Sequence, residues 1–234
     1  MASKRHYVFL LLLCLCLGIW SMAGAELNVV QTACNILVYS DECQIYCCAQ
    51  VHNDSDRLAG MEHGLFRLLS GDVVIAEENV ERLWPYFVDA NGDGYIFQTV
   101  TFYPDEDGNL EIPSITGLNF QLSSMTMPVS VANETLVADA EIEKTQTGGY
   151  VLICRLQNTD DETAWNPLVT YGLYTSGGSL LYADGLSLEN TGISSGSTLE
   201  LRFTVNAQIV KQWVSYGVEP AEVRVQGFYR RDSD

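Results

Sequence analysis

Two stretches of this chain, Tyr46–Leu69 (YCCAQVHNDSDRLAGMEHGLFRLL) and Val151–Tyr174 (VLICRLQNTDDETAWNPLVTYGLY), repeat one pattern 105 residues apart. Aligned without a gap, they pair like residues, among them Val51/Leu156, Asn53/Asn158, Ala59/Ala164 and Phe66/Tyr171. A repeat of about 100 residues is a whole small domain, because solenoid units are roughly 20 to 50 residues long. The sequence therefore predicts two copies of one fold.

Alternating apolar and polar residues indicate that both copies consist of β-strands, each with one buried and one wet face. The alternation is clear over residues 45–52, 199–205 and 222–226. Clusters of Gly, Ser, Asn and Asp between the strands are typical of turns. Short strands at this spacing predict an all-β fold of two antiparallel sandwiches, residues 26–128 and 129–234. Residues 207–214 are the one helix candidate, with Ile209, Val210, Trp213 and Val214 on one face.

The first 25 residues resemble a cleavable signal peptide. A basic start is followed by an uncharged apolar run over residues 7–20 and by Ala23-Gly24-Ala25, the small residues that a signal peptidase requires. The run of 14 residues is shorter than the roughly 20 that span a bilayer. We therefore expect an exported protein with no membrane span after cleavage, secreted or associated with the envelope; the alternative is an uncleaved membrane anchor.

The composition is strongly acidic, with 12 basic and 30 acidic residues and a net charge of −18. Without residues 1–25, which hold two basic residues and no acid, the net charge becomes −20. Nucleic acid is excluded as a partner, because a phosphate backbone needs clustered Lys and Arg. The charge keeps a secreted protein soluble, or it attracts a divalent cation or a basic partner.

Five cysteines follow the signal peptide, at positions 34, 43, 47, 48 and 154. Disulfides are possible in an exported chain, and the four cysteines of the first copy can pair in three ways. Neighbours on a strand point to opposite faces, so at most one of Cys47 and Cys48 belongs to the core. Cys154 shares a face with Leu152 and Leu156 and is expected to be a small buried hydrophobe.

Residues 66–69 (FRLL) and 171–174 (YGLY) resemble the Phe-x-Leu-Tyr-Asp strand of the FxLYD domains of prokaryotic exported proteins. The resemblance covers most of residues 131–229 and, less well, residues 27–122. It implies two tandem immunoglobulin-like β-sandwiches on a secreted or cell-surface protein with no established activity. Ser70 and Thr175 replace the final Asp of the motif, and Tyr171 replaces its Phe.

One loop resembles the first half of a calcium-binding loop. Asp89, Asn91 and Asp93 supply oxygens at positions 1, 3 and 5, Gly94 occupies position 6 and Tyr95 offers a carbonyl at position 7. Position 12 is a valine instead of the bidentate Glu, and the flanking residues indicate strands instead of helices. The alternatives are an acidic turn, equivalent to residues 194–196 of the second copy, and a Ca²⁺ site; no other cofactor is predicted.

Aromatic residues in predicted loops are candidate binding residues, with Trp84 and Tyr86 in the first copy and Trp165 in the second. Such side chains stack on sugars or anchor a protein partner; alternatively, they plug the open ends of the sandwiches. No catalytic residue is predicted. The sequence favours a non-enzymatic interaction module that contacts a protein or glycan at the cell envelope. The alternatives are a calcium-stabilised surface protein and a secreted hydrolase that lacks a recognisable motif.

Overall fold

The computed structural model describes residues 27–128 and 133–230. The predicted signal peptide lies outside the described residues. The predicted domain boundary at residues 128 and 129 lies at their limit. Within them the chain forms these elements: β1 Leu27–Val38, β2 Cys43–Asn53, β3 Ala59–Ser70, β4 Val73–Val80, β5 Phe87–Val88, β6 Asp93–Phe102, β7 Gly117–Thr126, β8 Glu134–Lys144, β9 Tyr150–Gln157, β10 Ala164–Trp165, β11 Leu168–Tyr174, β12 Leu180–Ser187, β13 Gly192–Ile193, β14 Thr198–Thr204, α1 Ala207–Ser215 and β15 Glu222–Tyr229. All the named strand pairs are antiparallel, so the predicted all-β fold is confirmed.

The first copy consists of two facing sheets. One has the order β1-β2-β6, and in the other β3 lies between β7 and the strands β4 and β5. The alternation of β2 directs Ile45, Cys47 and Val51 inward, where they meet Phe66 and Leu68 of β3 in one core. Burial of these apolar side chains supplies the main driving force for this half.

The second copy repeats this arrangement with β8-β9-β14 and β12-β11-β15. The two sheets share β8, because its first three residues pair with β15 and the rest pairs with β9. Leu152, Cys154, Tyr171 and Leu173 form the centre of its core. The connection between β14 and β15 holds the predicted helix, on which Ile209, Val210 and Trp213 are buried; Val214, predicted on the same face, is 62% exposed.

The sequence repeat is also a structural repeat, and the clearest case is a buried asparagine at the end of β2 and after β9. Asn53 Nδ2 donates to the carbonyls of Arg57 and Val88. Asn158 Nδ2 donates to the carbonyls of Glu162 and Ile193, each 105 positions further on. Both asparagines are fully buried, so equivalent side-chain amides stabilise equivalent turns in the two copies.

The two copies pack through the outer face of the β1-β2-β6 sheet, which the period-two pattern predicted to be wet. Cys48 (0% exposed) and Gln50 (4%) lie on this face and are covered by β11 and β12 of the second copy. The core of the first copy contains Cys47 without Cys48, as predicted, but Cys48 is fully buried as well. They do point to opposite faces, but Cys48 is buried between the copies instead of within one.

Polar groups join the copies along the edge of β1. Gln212 Oε1 accepts from the Ile36 N–H, and its Nε2 donates to the Ile36 carbonyl. One helical turn earlier, Gln208 makes the same pair of hydrogen bonds with Val38. Gln208 and Gln212 are four residues apart and share one face of the helix, and Ile36 and Val38 are two residues apart and share one edge of the strand. The two glutamine amides therefore make the backbone hydrogen bonds that a neighbouring strand would make with β1.

This contact gives a first prediction. We expect Gln208→Ala with Gln212→Ala to lower the free energy of unfolding by about 1 to 3 kcal/mol, most of it from Gln212, whose bonds are half-buried. Amide hydrogen exchange should accelerate at Ile36 and Val38. Lys211→Ala, at an exposed position of the same helix, is the control. Unchanged exchange at both amides would show that the helix does not cover this strand edge.

Candidate functional site

The predicted calcium loop forms a turn anchored by an asparagine instead. The Asp89 carbonyl accepts from the Gly92 N–H at 2.9 Å and from Asn53 Nδ2 at 3.0 Å. Tyr95 lies on β6, and its carbonyl accepts the Trp84 N–H at 2.8 Å. A calcium loop needs that carbonyl as its position-7 ligand. Asn91 takes a left-handed conformation (φ 57°) that suits a tight turn.

The side-chain carboxylates of residues 89–95 also do not gather around a common point where a metal ion could bind. Asp93 Oδ1 lies 3.0 Å from His52 Nδ1, its partner across β2 and β6. Among residues 27–128 and 133–230, no group of three or more His, Cys, Asp or Glu side chains is arranged to hold a metal ion. Residues 89–95 thus form an acidic turn in which strand pairing uses the Tyr95 carbonyl, and the Ca²⁺ site over these residues stays a prediction.

His52 has both ring nitrogens directed at carboxylates. Nδ1 faces Asp93, and Nε2 lies 3.4 Å from Asp54 Oδ1. A histidine that activates a nucleophile needs one ring nitrogen hydrogen-bonded to a Ser, Thr or Cys and the other to an orienting group. In this arrangement the imidazole bridges two acids and has no ring nitrogen directed at a nucleophile.

Trp84, one of the three candidate binding aromatics, is buried between the copies. It is 7% exposed, stacks on Phe97 with ring centroids 5.3 Å apart, and packs with Leu168 and Phe228 of the second copy. Its indole covers Gly185, where any Cβ would come within 2.8 Å of the ring. The prediction of Trp84 as a surface binding residue is wrong, because the second copy covers the loop that carries it.

Tyr86 remains at the surface, and Arg82 fixes its position. The Arg82 guanidinium lies 3.7 Å from the centroid of the Trp84 ring and 4.8 Å from that of Tyr86. Arg82 Nη2 also donates to the Tyr86 hydroxyl at 2.7 Å. The face of Tyr86 is thus occupied by a cation of the chain itself, and 36% of the residue is exposed.

Trp165 is the most accessible of the three, at 55% exposure. It lies on β10 opposite Gly192 of β13, and its six-membered ring covers that glycine. A Cβ on residue 192 would lie 2.9 Å from Trp165 Cζ3, so the missing side chain is what allows the ring to lie there. An indole held by a strand pair loses little conformational freedom when a partner binds it.

The first copy contains the same type of pair with the residues exchanged. Gly60 of β3 lies opposite Phe87 of β5. There Met127 approaches Gly60, with Cγ and Sδ 3.0 Å from the position of an added Cβ, and Phe87 is half-buried. The aromatic–glycine pair is therefore covered by the chain in the first copy and exposed in the second.

Four cysteines pack in the interior of the protein and are not candidates for a reactive site. Cys43, Cys47, Cys48 and Cys154 carry free thiols and are fully buried. Burial raises the pKa of Cys48 and that of Cys154 to about 12. Because the thiolate is the reactive form, these thiols are inert near neutral pH. The prediction that Cys154 is a small buried hydrophobe is confirmed.

One half-buried carboxylate lies between the copies. Asp184 Oδ2 accepts from the Tyr182 hydroxyl at 2.9 Å, and Oδ1 accepts from the Gly185 N–H at 2.8 Å. The neighbouring Tyr46 stacks on Tyr182 and donates to the Ala183 carbonyl. Desolvation outweighs these hydrogen bonds and raises the pKa of Asp184 above its usual value.

This pKa gives a second prediction. A carboxyl with a raised pKa in the folded state stabilises the fold below its unfolded pKa, and this contribution is lost as the pH rises through the folded pKa. Asp184→Asn should therefore be more stable than the wild type at pH 7, and the difference should vanish toward pH 3. Thermal unfolding across this range measures it. Asp161→Asn, which removes the same charge from an exposed position, should not show this rise with pH; the same profile in both variants would contradict the prediction.

Comparisons with known proteins carry no functional assignment. No protein-family model and no curated protein matches the chain. Among solved structures, the chain is similar to the exo-chitosanase CsxA of Amycolatopsis orientalis at 15% identity and a TM-score of 0.24, over 83% of this chain and 25% of that one. It is similar to red sea bream transglutaminase at 8% identity and a TM-score of 0.22, over 77% and 27%. The chain thus spans about a quarter of the length of either enzyme. Scores this low support no argument about activity.

None of the helices formed by the described residues is long and apolar enough to cross a membrane.

The sequence analysis did not predict the pairing of Trp165 with Gly192. The only signal for it is the short Gly192-Ile193 segment that follows a turn, at the position where the first copy has Phe87-Val88.

Proposed function

We propose that this protein is a non-enzymatic, exported interaction module associated with the cell envelope, and that Trp165 is its main contact. Its two copies are proposed to be FxLYD-like, immunoglobulin-like sandwiches. The order β1-β2-β6 facing β4-β3-β7, repeated by β8-β9-β14 facing β12-β11-β15, supports this assignment. A partner protein or glycan at the envelope is the proposed ligand.

The observation that carries the proposal is the exposed indole of Trp165, held over Gly192. Tryptophan is enriched among the residues that dominate binding energies, because it buries a large area and has few rotatable bonds. A ring that stays 55% exposed on a strand pair is therefore a suitable anchor for a partner.

The test is retention of purified residues 26–234 on envelope fractions of the source organism, at low and high salt. We expect Trp165→Ala to weaken retention at least about tenfold, as truncation of an anchor residue costs about 2 kcal/mol. Tyr103→Ala is the matched control, because Tyr103 is an exposed aromatic (71%) on a loop of the first copy. No retention of the wild type, or equal retention of all three proteins, would overturn the proposal.

A further inference from the structure

The surroundings of Trp165 are acidic on both strands of its pair. Asp161 and Glu162 come just before β10, and Glu189 comes just before β13; all three carry their charge at or near the surface. Opposite charges attract over roughly 8 Å at physiological salt. Three acidic residues therefore flank the strands of the Trp165–Gly192 pair in sequence, within a chain whose net charge is −18.

An aromatic face attracts cations, and tryptophan does so most strongly. The fold already uses this contact for rings that its own cations can reach. Arg224 lies 4.2 Å from the centroid of Tyr174, and Lys144 lies 5.5 Å from that of Tyr150. Trp165 combines a larger ring, higher exposure and flanking carboxylates, which is the arrangement that suits a cation from another molecule.

From these observations, and resting on the function proposed above, we infer that the Trp165–Gly192 pair is a docking site for a cationic side chain of a partner protein. The guanidinium or ammonium group lies flat on the exposed indole face, and Asp161, Glu162 and Glu189 supply the complementary charge. Gly192 holds the ring in place from the opposite side. A neutral glycan has no charge to pair with the three carboxylates, so it fits the site less well.

The test uses the full mature chain and a labelled peptide of alternating Gly and Arg, with a Gly-Ser peptide and a neutral oligosaccharide as comparison ligands. Affinities are measured by fluorescence anisotropy at about 0.15 M salt, where distant charges are screened. We expect Trp165→Leu to bind the Arg peptide about two- to fivefold more weakly than the wild type, the range of an exposed cation–π contact. Because this variant keeps every charge, the loss reports the indole and not the acidic surface.

Two further variants separate the parts of the site. Gly192→Ala keeps Trp165 and all charges but displaces the ring, so it should weaken binding as Trp165→Leu does. Asp161→Asn with Glu162→Gln and Glu189→Gln should weaken binding of the Arg peptide and leave the uncharged ligands unaffected. The change in tryptophan emission on binding gives an independent readout of Trp165, since Trp84 and Trp213 are buried away from the ligand.

Equal affinity of Trp165→Leu and the wild type for the Arg peptide would overturn the inference, because the acidic surface alone would then explain binding. Trp165-dependent binding of the neutral oligosaccharide in preference to the Arg peptide would also overturn it. That second result would leave Trp165 as the contact and so would leave the proposed function standing.

Discussion

Replacing either repeat asparagine should destabilise the protein strongly, because each amide holds a turn together from within the fold. Asn158→Ala leaves the carbonyls of Glu162 and Ile193 and the Asp160 N–H without their partner. Each buried group that loses its partner costs about 1 to 3 kcal/mol. We expect the free energy of unfolding to fall by about 3 to 5 kcal/mol, measured as a lower urea midpoint.

Asn53→Ala should have an effect of the same size in the first copy. Asn53 Nδ2 donates to three carbonyls, and its Oδ1 accepts from Ser55. The control is Asn79→Ala, at an exposed position of β4, where a change within about 0.5 kcal/mol is expected. Equal midpoints for Asn53→Ala and Asn79→Ala would mean that the amide does not hold the turn.

Gly172→Val should separate the two copies. Gly172 lies on β11 facing the first copy, and a Cβ there would come within 2.7 Å of Tyr95 and 2.8 Å of Tyr174. These two tyrosines are buried, and their hydroxyls are 2.8 Å apart. The added carbon atoms would displace both rings and disrupt this hydrogen bond. We expect a loss of about 2 to 4 kcal/mol.

The control for this substitution is Gly177→Ala, in the turn after β11, where an added Cβ has its nearest neighbour at an ordinary 3.7 Å. The two variants are compared by urea unfolding and by hydrogen exchange of the β1 and β12 amides. Faster exchange confined to these contact strands is the expected signature of Gly172→Val. A wild-type midpoint for Gly172→Val would show that the copies do not pack against each other at this position.

The sequence predicted the parts of the fold that depend on local pattern. Period-two alternation identified the strands, because side chains of a strand point to alternate faces whatever it packs against. The repeat identified the equivalence of Asn53 and Asn158, and the spacing of Ile209, Val210 and Trp213 identified α1. The candidate Trp165 could be named from its loop context alone, and it is exposed as a binding residue must be.

The features that the sequence did not predict all depend on a segment distant in the chain. Trp84 and Cys48 were assigned by their neighbours in sequence, but the second copy covers them both. The residues from Asp89 to Tyr95 have oxygens at calcium-loop spacing, yet the pairing of Tyr95 with Trp84 uses the required carbonyl. A spacing motif records which atoms are available locally, and strand pairing determines which of them remain unbonded.

By itself, then, the sequence determined an acidic all-β chain of two similar copies, because charge, periodicity and repetition are properties of residues in order. Only the tertiary structure decided which sheet face is buried between the copies, how the amides of α1 cover the edge of β1, and that Gly192 lies beneath Trp165. These contacts join residues about 27 to 180 positions apart. Their energies depend on the burial and geometry created by the whole fold, and no local pattern encodes either.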